Sequence, residues 1–401
     1  MRSIVMISSF SPRFCGIATF VEEAIEFIKK AAPDVMINVI SHLDGRGENV
    51  HPIIDLNKED WYKPVAEKIK ELNPDVVHIQ HEYGLYNYIN KRGKIDYNQG
   101  FLKLLDRIKE YPVIIEAHTV HGRLREKEEW FIWEVLKKCT VLILKCKYQK
   151  WRFSWTFREK KNKKLLNKVA VIPHGARNDR RYGDKEINKL KEELGLSELI
   201  GRHMVGLVGW VQSNKRWDIV LDLWEEIEQV IFGRTGENWF LFAAGDIRDP
   251  DHRKDYEKYI TKLKELEKKG IAKYFKFEPR GVLYYKVMAI CDFVILPSVD
   301  ETQSGTLARI IALNKPYITT APLEGLTSQT IESNGGLLFT DKESLKRNII
   351  RLASSESLRR YLGNNLKWYL ESRVSWEIVV QQYFDVYERA QKRDVNFPAI
   401  F

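Results

Sequence analysis

The sequence predicts an α/β protein built from two doubly wound domains, each with a parallel sheet covered by helices on both faces. Short β-branched runs alternate with amphipathic stretches along most of the chain, as in parallel sheets joined by helical crossovers. The runs are apolar along most of their length, which indicates strands buried on both faces. The length of 401 residues is sufficient for two domains of ordinary size.

The predicted strands fall into two blocks. Those of the first block are Ser3–Ser8, Met36–Ser41, Val76–Gln80, Val113–Ala117, Val141–Leu144 and Val169–Ile172. Those of the second block are Val205–Gly209, Phe240–Ala244, Phe293–Leu296, Tyr317–Thr319 and Gly336–Phe339. Apolar residues at three- and four-residue steps, such as Val21, Ala24 and Ile28, predict helices between the strands.

Turn residues and charges at Pro173–Tyr182 separate the two blocks. We predict an N-terminal Rossmann-like domain over residues 1–178, a C-terminal one over 179–374, and a last helix within 375–401. Ligands of open α/β sheets bind beyond the carboxyl ends of the strands. We therefore expect the functional loops to face a cleft between the two domains.

Composition narrows the class of protein. An apolar content of 44% with 30% charged residues describes a soluble globular chain. No stretch of 18 apolar residues predicts a membrane span, and MRSIVMISSF lacks the layout of a signal peptide. The four cysteines form no CxxC pair, which favours a reducing cytoplasm. We expect a cytoplasmic protein, and the net charge of +10 fits either an anionic partner or a heat-adapted surface.

The stretch PSVDETQSGTLARIIALNKP, residues 297–316, is the best-placed candidate site. A helix that begins near Gly305 or Thr306 offers its backbone N–H groups to an anion, and Ser304 can cap it. Glu301 would place a carboxylate beside them, which suits neutral hydroxyls better than a bare phosphate. The alternative is an ordinary capped helix with a solvated Glu301.

Two glycine-containing turns of the second block are further candidates. Lys215 follows a polar turn after a strand, where its ammonium group can neutralise a diphosphate. A solvated surface lysine is the alternative there. Gly245 and the following acid come directly after another strand, and this signal is weaker.

Histidines follow the strands of the first block, in HIQHEYG and EAHTVHG. The residues concerned are His78, His81, Glu82, His118 and His121. No HExxH pattern accompanies them, so we expect no metal site and interpret them as hydrogen-bonding a polar substrate. Gly16 adds a glycine-containing loop before the first helix, although it is not part of a GxGxxG fingerprint.

One segment, residues 145–168, combines ten Lys/Arg residues and five aromatic rings with one acid. Basic residues interleaved with Trp and Phe fit contact with an anionic membrane surface or with single-stranded nucleic acid. A partly packed helix whose charges are solvated is an equally good interpretation. Peripheral contact with the inner membrane face therefore stays open.

Taken together, these loops resemble those of the GT-B glycosyltransferases, specifically the retaining family 4, or glycosyl transferases group 1. The matching positions are Gly16, His118, Gly209 with Lys215, PSVDE ending in Glu301, Ala312, and Pro316. Ser375–Trp376 also resembles the start of the family's final helix, which crosses back onto the N-terminal domain. The resemblance implies a GT-B fold, with two Rossmann-like domains facing across a cleft.

Three positions depart from the family pattern. Trp210 stands where the family usually has Arg, Arg216 where it has Gly, and Arg309 where it has a second Glu that holds the ribose. The variant ETQSG without a second Glu is itself similar to a known sub-pattern. We therefore do not interpret the change as a loss of activity.

The resemblance implies transfer of a hexosyl group, mannose or glucose, from a nucleoside-diphosphate sugar with retention at the anomeric carbon. The acceptor would be a glycan, a lipid-linked sugar or a small molecule, and neither metal nor cofactor is expected. The implied catalytic residues are His118, Glu301 and Lys215. The implied donor-binding residues are Gly16, Gly209, Lys215, Gly245, Gln303, Ser304, Gly305, Thr306 and Arg309. The implied acceptor-binding residues are His81, Glu82 and His121.

Two other functions compete with this one. A protein that binds sugar or nucleotide without turnover would account for the missing second Glu. A disaccharide phosphorylase on the same fold would use free phosphate and no nucleotide. A nucleic-acid binder is the more distant alternative, since the positive charge alone supports it.

Overall fold

The computed structural model describes residues 1–90, 93, 95–121, 123–248, 250–299, 302 and 304–400, apart from the side chains at 184 and 250. The chain divides into two units. The first consists of Met1–Gly175 together with Trp376–Phe401, and the second of Ala176–Ser375. The chain therefore leaves the first unit, forms the second, and returns to the first for its last helix.

A parallel sheet forms the centre of the first unit. Its strands are β1 (Ser3–Ile7), β2 (Met36–His42), β3 (Val50–Ile54), β4 (Val76–His81), β5 (Val113–Ala117), β6 (Val141–Leu144) and β7 (Val169–Val171). They lie in the order β3-β2-β1-β4-β5-β6-β7, and every neighbouring pair is parallel. The strand order reverses at β1, so the sheet is doubly wound.

The second unit repeats this plan. Its strands are β8 (His203–Val208), β9 (Trp239–Gly245), β10 (Ala272–Lys276), β11 (Phe293–Leu296), β12 (Tyr317–Thr320) and β13 (Gly336–Phe339). Their order is β10-β9-β8-β11-β12-β13, again with every pair parallel. The predicted fold class, two doubly wound α/β domains, is confirmed.

Two strands, β3 and β10, are absent from the prediction. Each lies at one edge of its sheet. Their sequences, VHPII and AKYFK, interrupt the apolar pattern with a proline or with lysines, and most of their residues are only half-buried. An edge strand is partly open to solvent, so it lacks the continuous apolar run by which the central strands were recognised.

Helices connect the strands in both units. They are α1 (Gly16–Ala31), α2 (Tyr62–Leu72), α3 (Gln99–Arg107), α4 (Glu126–Lys138), α5 (Lys147–Thr156), α6 (Asp184–Glu193), α7 (Trp217–Thr235), α8 (Arg253–Lys268), α9 (Gly281–Ala289), α10 (Gly305–Ala312), α11 (Glu324–Ser333), α12 (Lys342–Ala353), α13 (Glu356–Tyr369) and α14 (Trp376–Lys392). In α1 the predicted apolar face of Val21, Ala24 and Ile28 is buried. Among the described residues, no helix is both long enough and apolar enough to cross a bilayer.

The last helix, α14, packs on α1 within the first unit. Trp376, its first residue, is fully buried, with its ring centroid 5.2 Å from that of Phe20 and 6.1 Å from that of Phe27. Its indole N–H donates to Glu23 Oε2 at 3.0 Å. One large aromatic side chain with a satisfied polar tip therefore anchors the returning chain.

Gly175 makes this packing possible, because a Cβ at that position would lie 2.3 Å from the Trp376 ring. We expect Gly175→Ala to displace the ring and to lower the stability of the first unit by about 1–3 kcal/mol. Urea unfolding followed by tryptophan fluorescence measures the change. The control is Gly233→Ala on α7, where a Cβ has no atom within 4 Å and helix propensity favours Ala. Equal midpoints for the two variants would contradict the prediction.

Candidate functional site

Two glycines meet at the carboxyl ends of β8 and β9. The Gly209 N–H donates to the Ala244 carbonyl oxygen at 2.9 Å. A Cβ at position 245 would lie 1.9 Å from the Gly209 carbonyl oxygen, so only glycine fits there. Gly209 has a φ of +142°, which residues with a Cβ rarely adopt. These two predicted donor-binding positions therefore lie side by side and present bare backbone at the sheet edge.

The loop that carries Lys215 lies against the loop that follows β11. Residues Ser213–Lys215 form a 3₁₀ turn. The Val299 N–H donates to the Asn214 carbonyl oxygen at 2.7 Å, which ties the two loops together. Lys215 itself is half-buried. Two segments that were predicted separately from the sequence are therefore neighbours at one edge of the sheet.

Arg216 has a local explanation. It adopts the left-handed region, with φ +47° and ψ 43°, a conformation in which glycine is more comfortable. Its guanidinium group is held by Asp218, with Nε 3.1 Å from Oδ1 and Nη2 3.0 Å from Oδ2. Arg216 therefore adopts a left-handed turn that is accompanied by a bidentate ion pair with Asp218. Trp210, the other departure in this loop, is half-buried.

Helix α10 begins beside these loops. Ser304 is its N-cap, and its hydroxyl oxygen accepts the Leu307 N–H at 3.3 Å. Ser304 is only 3% exposed, so its described contact is a structural cap. Gly305 and Thr306 follow in the first turn and are half-buried. The Thr306 hydroxyl lies 2.8 Å from the Tyr284 hydroxyl, which joins the start of α10 to α9.

Arg309 lies one turn into α10. Its Nη1 donates to the Gly305 carbonyl oxygen at 2.8 Å. Its guanidinium carbon is 5.0 Å from the Tyr284 ring centroid and 5.5 Å from that of Tyr285, within range of cation–π attraction. Its Nε is buried and has no hydrogen-bond partner among the described residues. Arg309 is therefore stacked on α9 beside the first turn of its own helix.

Two predicted residues lie outside the described residues. They are Glu301 and Gln303, which precede α10 in the sequence. Their predicted roles rest on the sequence alone.

At the carboxyl edge of the first sheet the predicted residues separate into two groups. Gly16 begins α1, and no described heavy atom lies within 4 Å of where its Cβ would be. Glu82 accepts a hydrogen bond from the Thr119 hydroxyl, and His121 is half-buried. These three positions are accessible at least in part.

His81 belongs to the other group. It is 4% exposed, its Nε2 is 3.2 Å from Asn98 Oδ1, and its ring packs on Tyr86 and Phe131. Burial lowers its pKa to about 4. A neutral histidine enclosed by aromatic rings is a core residue, so the sequence pattern misjudged its surroundings.

His118 is 9% exposed and is the outermost member of a buried hydrogen-bonded chain. Its Nε2 lies 2.7 Å from Gln80 Oε1, and Gln80 Nε2 lies 3.2 Å from His78 Nε2. His78 Nε2 lies 3.1 Å from Glu116 Oε2, and Glu116 pairs with Lys145. Burial and then the Lys145 charge hold the pKa of His118 well below its usual value, so the imidazole is neutral.

The centre of this chain, which the sequence did not predict, is the Glu116–Lys145 ion pair. Both side chains are fully buried, and Tyr383 of α14 donates to Glu116 Oε1 at 2.7 Å. Burial works to raise the pKa of Glu116, but Lys145 and His78 more than offset it, so the pKa lies well below the usual value. The available signal was an acid inside the apolar strand VIIEA, followed by a lysine directly after VLIL.

The basic aromatic segment 145–168 is divided between core and surface. Lys145, Phe153 and Phe157 are buried. Trp155 is 46% exposed and carries the Arg158 guanidinium group 4.3 Å from its ring centroid. Because most of the described segment is helical, its rings point in different directions. The rings are therefore scattered around the segment, and they do not form one aromatic face.

Comparisons with known proteins agree with this geometry. Residues 196–368 match the family model described as glycosyl transferases group 1. Two uncharacterized glycosyltransferases of Methanocaldococcus jannaschii also match, MJ1069 with 32% identity over 88 residues and MJ1178 with 25% identity over 226 residues. The matches cover 21% and 56% of this chain, and only 22% and 54% of those relatives.

Solved structures match over nearly the full length. The structure of Anabaena HepE in complex with UDP gives a TM-score of 0.70 at 15% identity, covering 97% of this chain and all of the other. Sucrose-phosphate synthase of Thermosynechococcus elongatus gives 0.68 at 15% identity, covering 97% and 99%. At such identities the likeness concerns the fold. Residues 196–368 are therefore similar to the glycosyl transferases group 1 family, and the chain as a whole has the GT-B fold.

Proposed function

We propose that this protein is a retaining glycosyltransferase that moves a hexosyl group from a nucleoside-diphosphate sugar to an acceptor. One observation carries the proposal. Within the segment that matches the family, the glycines ending β8 and β9, the Lys215 loop and the start of α10 occupy the same carboxyl edge of the sheet, and the Val299–Asn214 hydrogen bond joins two of these loops. Ligands of doubly wound sheets bind at such an edge.

The chemistry of this edge suits a departing diphosphate. The first N–H groups of a helix have no partner inside the helix, and together with the helix dipole they attract an anion. Lys215 adds a full positive charge from the adjoining loop. Groups that stabilise charge as it develops on a leaving group lower the barrier of the transfer step. We assign this role to the start of α10 and to Lys215.

The remaining assignments rest on the family resemblance. Glu301 and Gln303 would bind hydroxyls of the donor sugar, and His118 would contact that sugar near its reacting carbon. Glu82 and His121 are proposed for the acceptor. No protein nucleophile, metal or cofactor is assigned.

For the donor we propose UDP-glucose or GDP-mannose. Structures of HepE are described as complexes with UDP and with UDP-glucose, which supports a uridine nucleotide for a protein of this fold. The acceptor class is proposed to be a glycan, a lipid-linked sugar or a small molecule.

A panel of UDP-, GDP- and ADP-sugars tests the function, with thermal shift for binding and product analysis for transfer. A ligand at about 100 times its Kd raises stability by roughly 2.7 kcal/mol. We expect Glu301→Gln to reduce transfer strongly while binding of the bare nucleoside diphosphate changes little. Glu343→Gln, an exposed acid on α12, serves as control.

Three outcomes would contradict the proposal. Binding without transfer from any donor supports a non-catalytic protein. Turnover that needs free phosphate and no nucleotide supports a phosphorylase. Equal loss of nucleotide binding and of transfer in Glu301→Gln would reject the role of Glu301 in holding the sugar.

Arg309 is proposed to act on the donor through its charge. We expect Arg309→Met to weaken binding of the bare nucleoside diphosphate about tenfold, roughly 1.4 kcal/mol, and to reduce the salt dependence of binding. Isothermal titration at two ionic strengths measures both effects. Arg347→Met removes an exposed cation from α12 and is the matched control. If the two variants bind the nucleotide equally well, Arg309 only packs against Tyr284 and Tyr285.

Peripheral membrane contact is the last proposal for this function. It is carried by the exposed side of segment 145–168, where Trp155 and Arg158 lie. Each Lys or Arg close to an anionic surface contributes about 1 kcal/mol of attraction. We expect flotation with anionic liposomes at low salt, and weaker flotation of Trp155→Ala. Trp368→Ala, which removes an exposed tryptophan of the second unit, is the control. A wild-type protein that stays unbound would favour a soluble acceptor.

A further inference from the structure

Gln80 occupies an unusual position between two buried histidines. It lies on β4, two residues after His78 and therefore on the same face of the sheet, and it is 1% exposed. Its register partner on β5 is Glu116. Its Oε1 lies 2.7 Å from His118 Nε2, and its Nε2 lies 3.2 Å from His78 Nε2.

The two ends of an amide differ in what they can do. The oxygen only accepts hydrogen bonds and the nitrogen only donates them. With Oε1 on His118, the His118 Nε2 must carry the proton. Because Gln80 Nε2 donates to His78 Nε2, that ring nitrogen carries no proton. The proton of the neutral His78 ring is then on Nδ1, which donates to Tyr387 Oη at 2.7 Å. Gln80 therefore couples the proton positions of the two rings.

Glu116 provides the competing direction of the chain. Its Oε2 lies 3.1 Å from His78 Nε2, yet it has no hydrogen-bond partner among the described residues. If His78 Nε2 donated to Glu116, the Gln80 amide would have to be reversed, and the proton of His118 would move to Nδ1. The 3.1 Å distance permits that hydrogen bond, whereas the amide orientation places Gln80 Nε2 on His78 Nε2, so the tautomer of His118 distinguishes the two directions.

The surroundings keep His118 neutral, which a fixed tautomer requires. The titratable groups that face it are Lys145 from the end of β6, Glu116 from β5, His78 from β4 and His174 after β7. The Phe20 ring of α1 packs on it at 5.0 Å between centroids. Burial and the Lys145 charge are the largest of the effects that lower its pKa.

We propose that Gln80 is a positioning residue for glycosyl transfer, which holds His118 in the neutral form protonated at Nε2 and so makes Nδ1 an acceptor only. An acceptor nitrogen can receive a hydrogen bond from a sugar hydroxyl and cannot donate one to it. The benefit to catalysis rests on the proposed function, whereas the tautomer itself does not.

The tautomer is tested first, on the unmodified protein. Long-range ¹H–¹⁵N spectra of protein labelled at histidine distinguish the two neutral forms, and His118→Ala identifies the signals of that ring. We expect the Nε2-protonated pattern, unchanged through neutral pH. Protonation at Nδ1, or a charged ring at neutral pH, would overturn the proposal without the use of any Gln80 variant.

Variants of Gln80 test the consequence. Gln80→Met keeps the length of the side chain but removes the acceptor, so we expect a mixture of tautomers and a loss in kcat of about tenfold, with little change in KM. Gln80→Glu restores an acceptor for His118 Nε2 and is expected to restore the Nε2-protonated form. Gln149→Met removes another buried amide, bonded to the Lys145 N–H and the Val120 carbonyl, and should leave the His118 spectrum unchanged.

A double-mutant cycle separates positioning from plain packing. If Gln80 acts through His118, then Gln80→Met has no further effect on kcat once His118→Ala is present. Additive losses, with the tautomer unchanged, would show a structural role and reject the proposal. The expected tautomer in a protein that transfers no sugar would reject the proposed function and leave the positioning of His118 intact.

Discussion

A buried carboxylate is the constraint on which the first unit depends. Glu116 lies within β5 with no exposed surface, and an unpaired charge in such a place is strongly unfavourable. Lys145 compensates it from the end of β6, and Tyr383 donates to it from α14. Glu116 and these two partners come from three separate elements, so the burial of one charge requires that β5, the end of β6 and α14 be assembled together. His118 is linked to the same group through Gln80 and His78.

The fold was predictable because its main signal is local. Apolar runs and helical spacing repeat along the chain, and two sheets with this alternation follow from them. Strands β3 and β10 were missed because an edge strand such as AKYFK carries polar residues toward solvent. Pairing between distant strands decides that such a segment is a strand, and its own composition does not.

The candidate site was predictable only in part. Glycines and polar turns after strands predicted the positions of Gly209, Gly245 and the loops beside α10. These positions are visible in the sequence because they depend on backbone conformation, which glycine and turn residues indicate directly. Lys145 and Glu116 are 29 residues apart, and Tyr383 is 267 residues from Glu116, so nothing local predicts that they meet. His81 was misjudged for a similar reason, since the aromatic residues that enclose it come from other elements. The burial of a residue depends on the elements that pack against it, and its position at the end of a strand does not predict which elements those are.

The first unit is made from two segments of chain that are separated by the whole of the second unit. During synthesis on a ribosome, β1 to β7 emerge long before α14, so the Tyr383 hydroxyl and the Trp376 ring arrive last. Until then the surface of α1 that receives Trp376 is bare, and Glu116 has only part of its final surroundings. The nascent first unit is therefore incomplete and exposes apolar surface while the second unit is translated. The apolar surface of α1 is therefore closed only when α14 (Trp376–Lys392) has been made, and α14 is the element that completes the first unit.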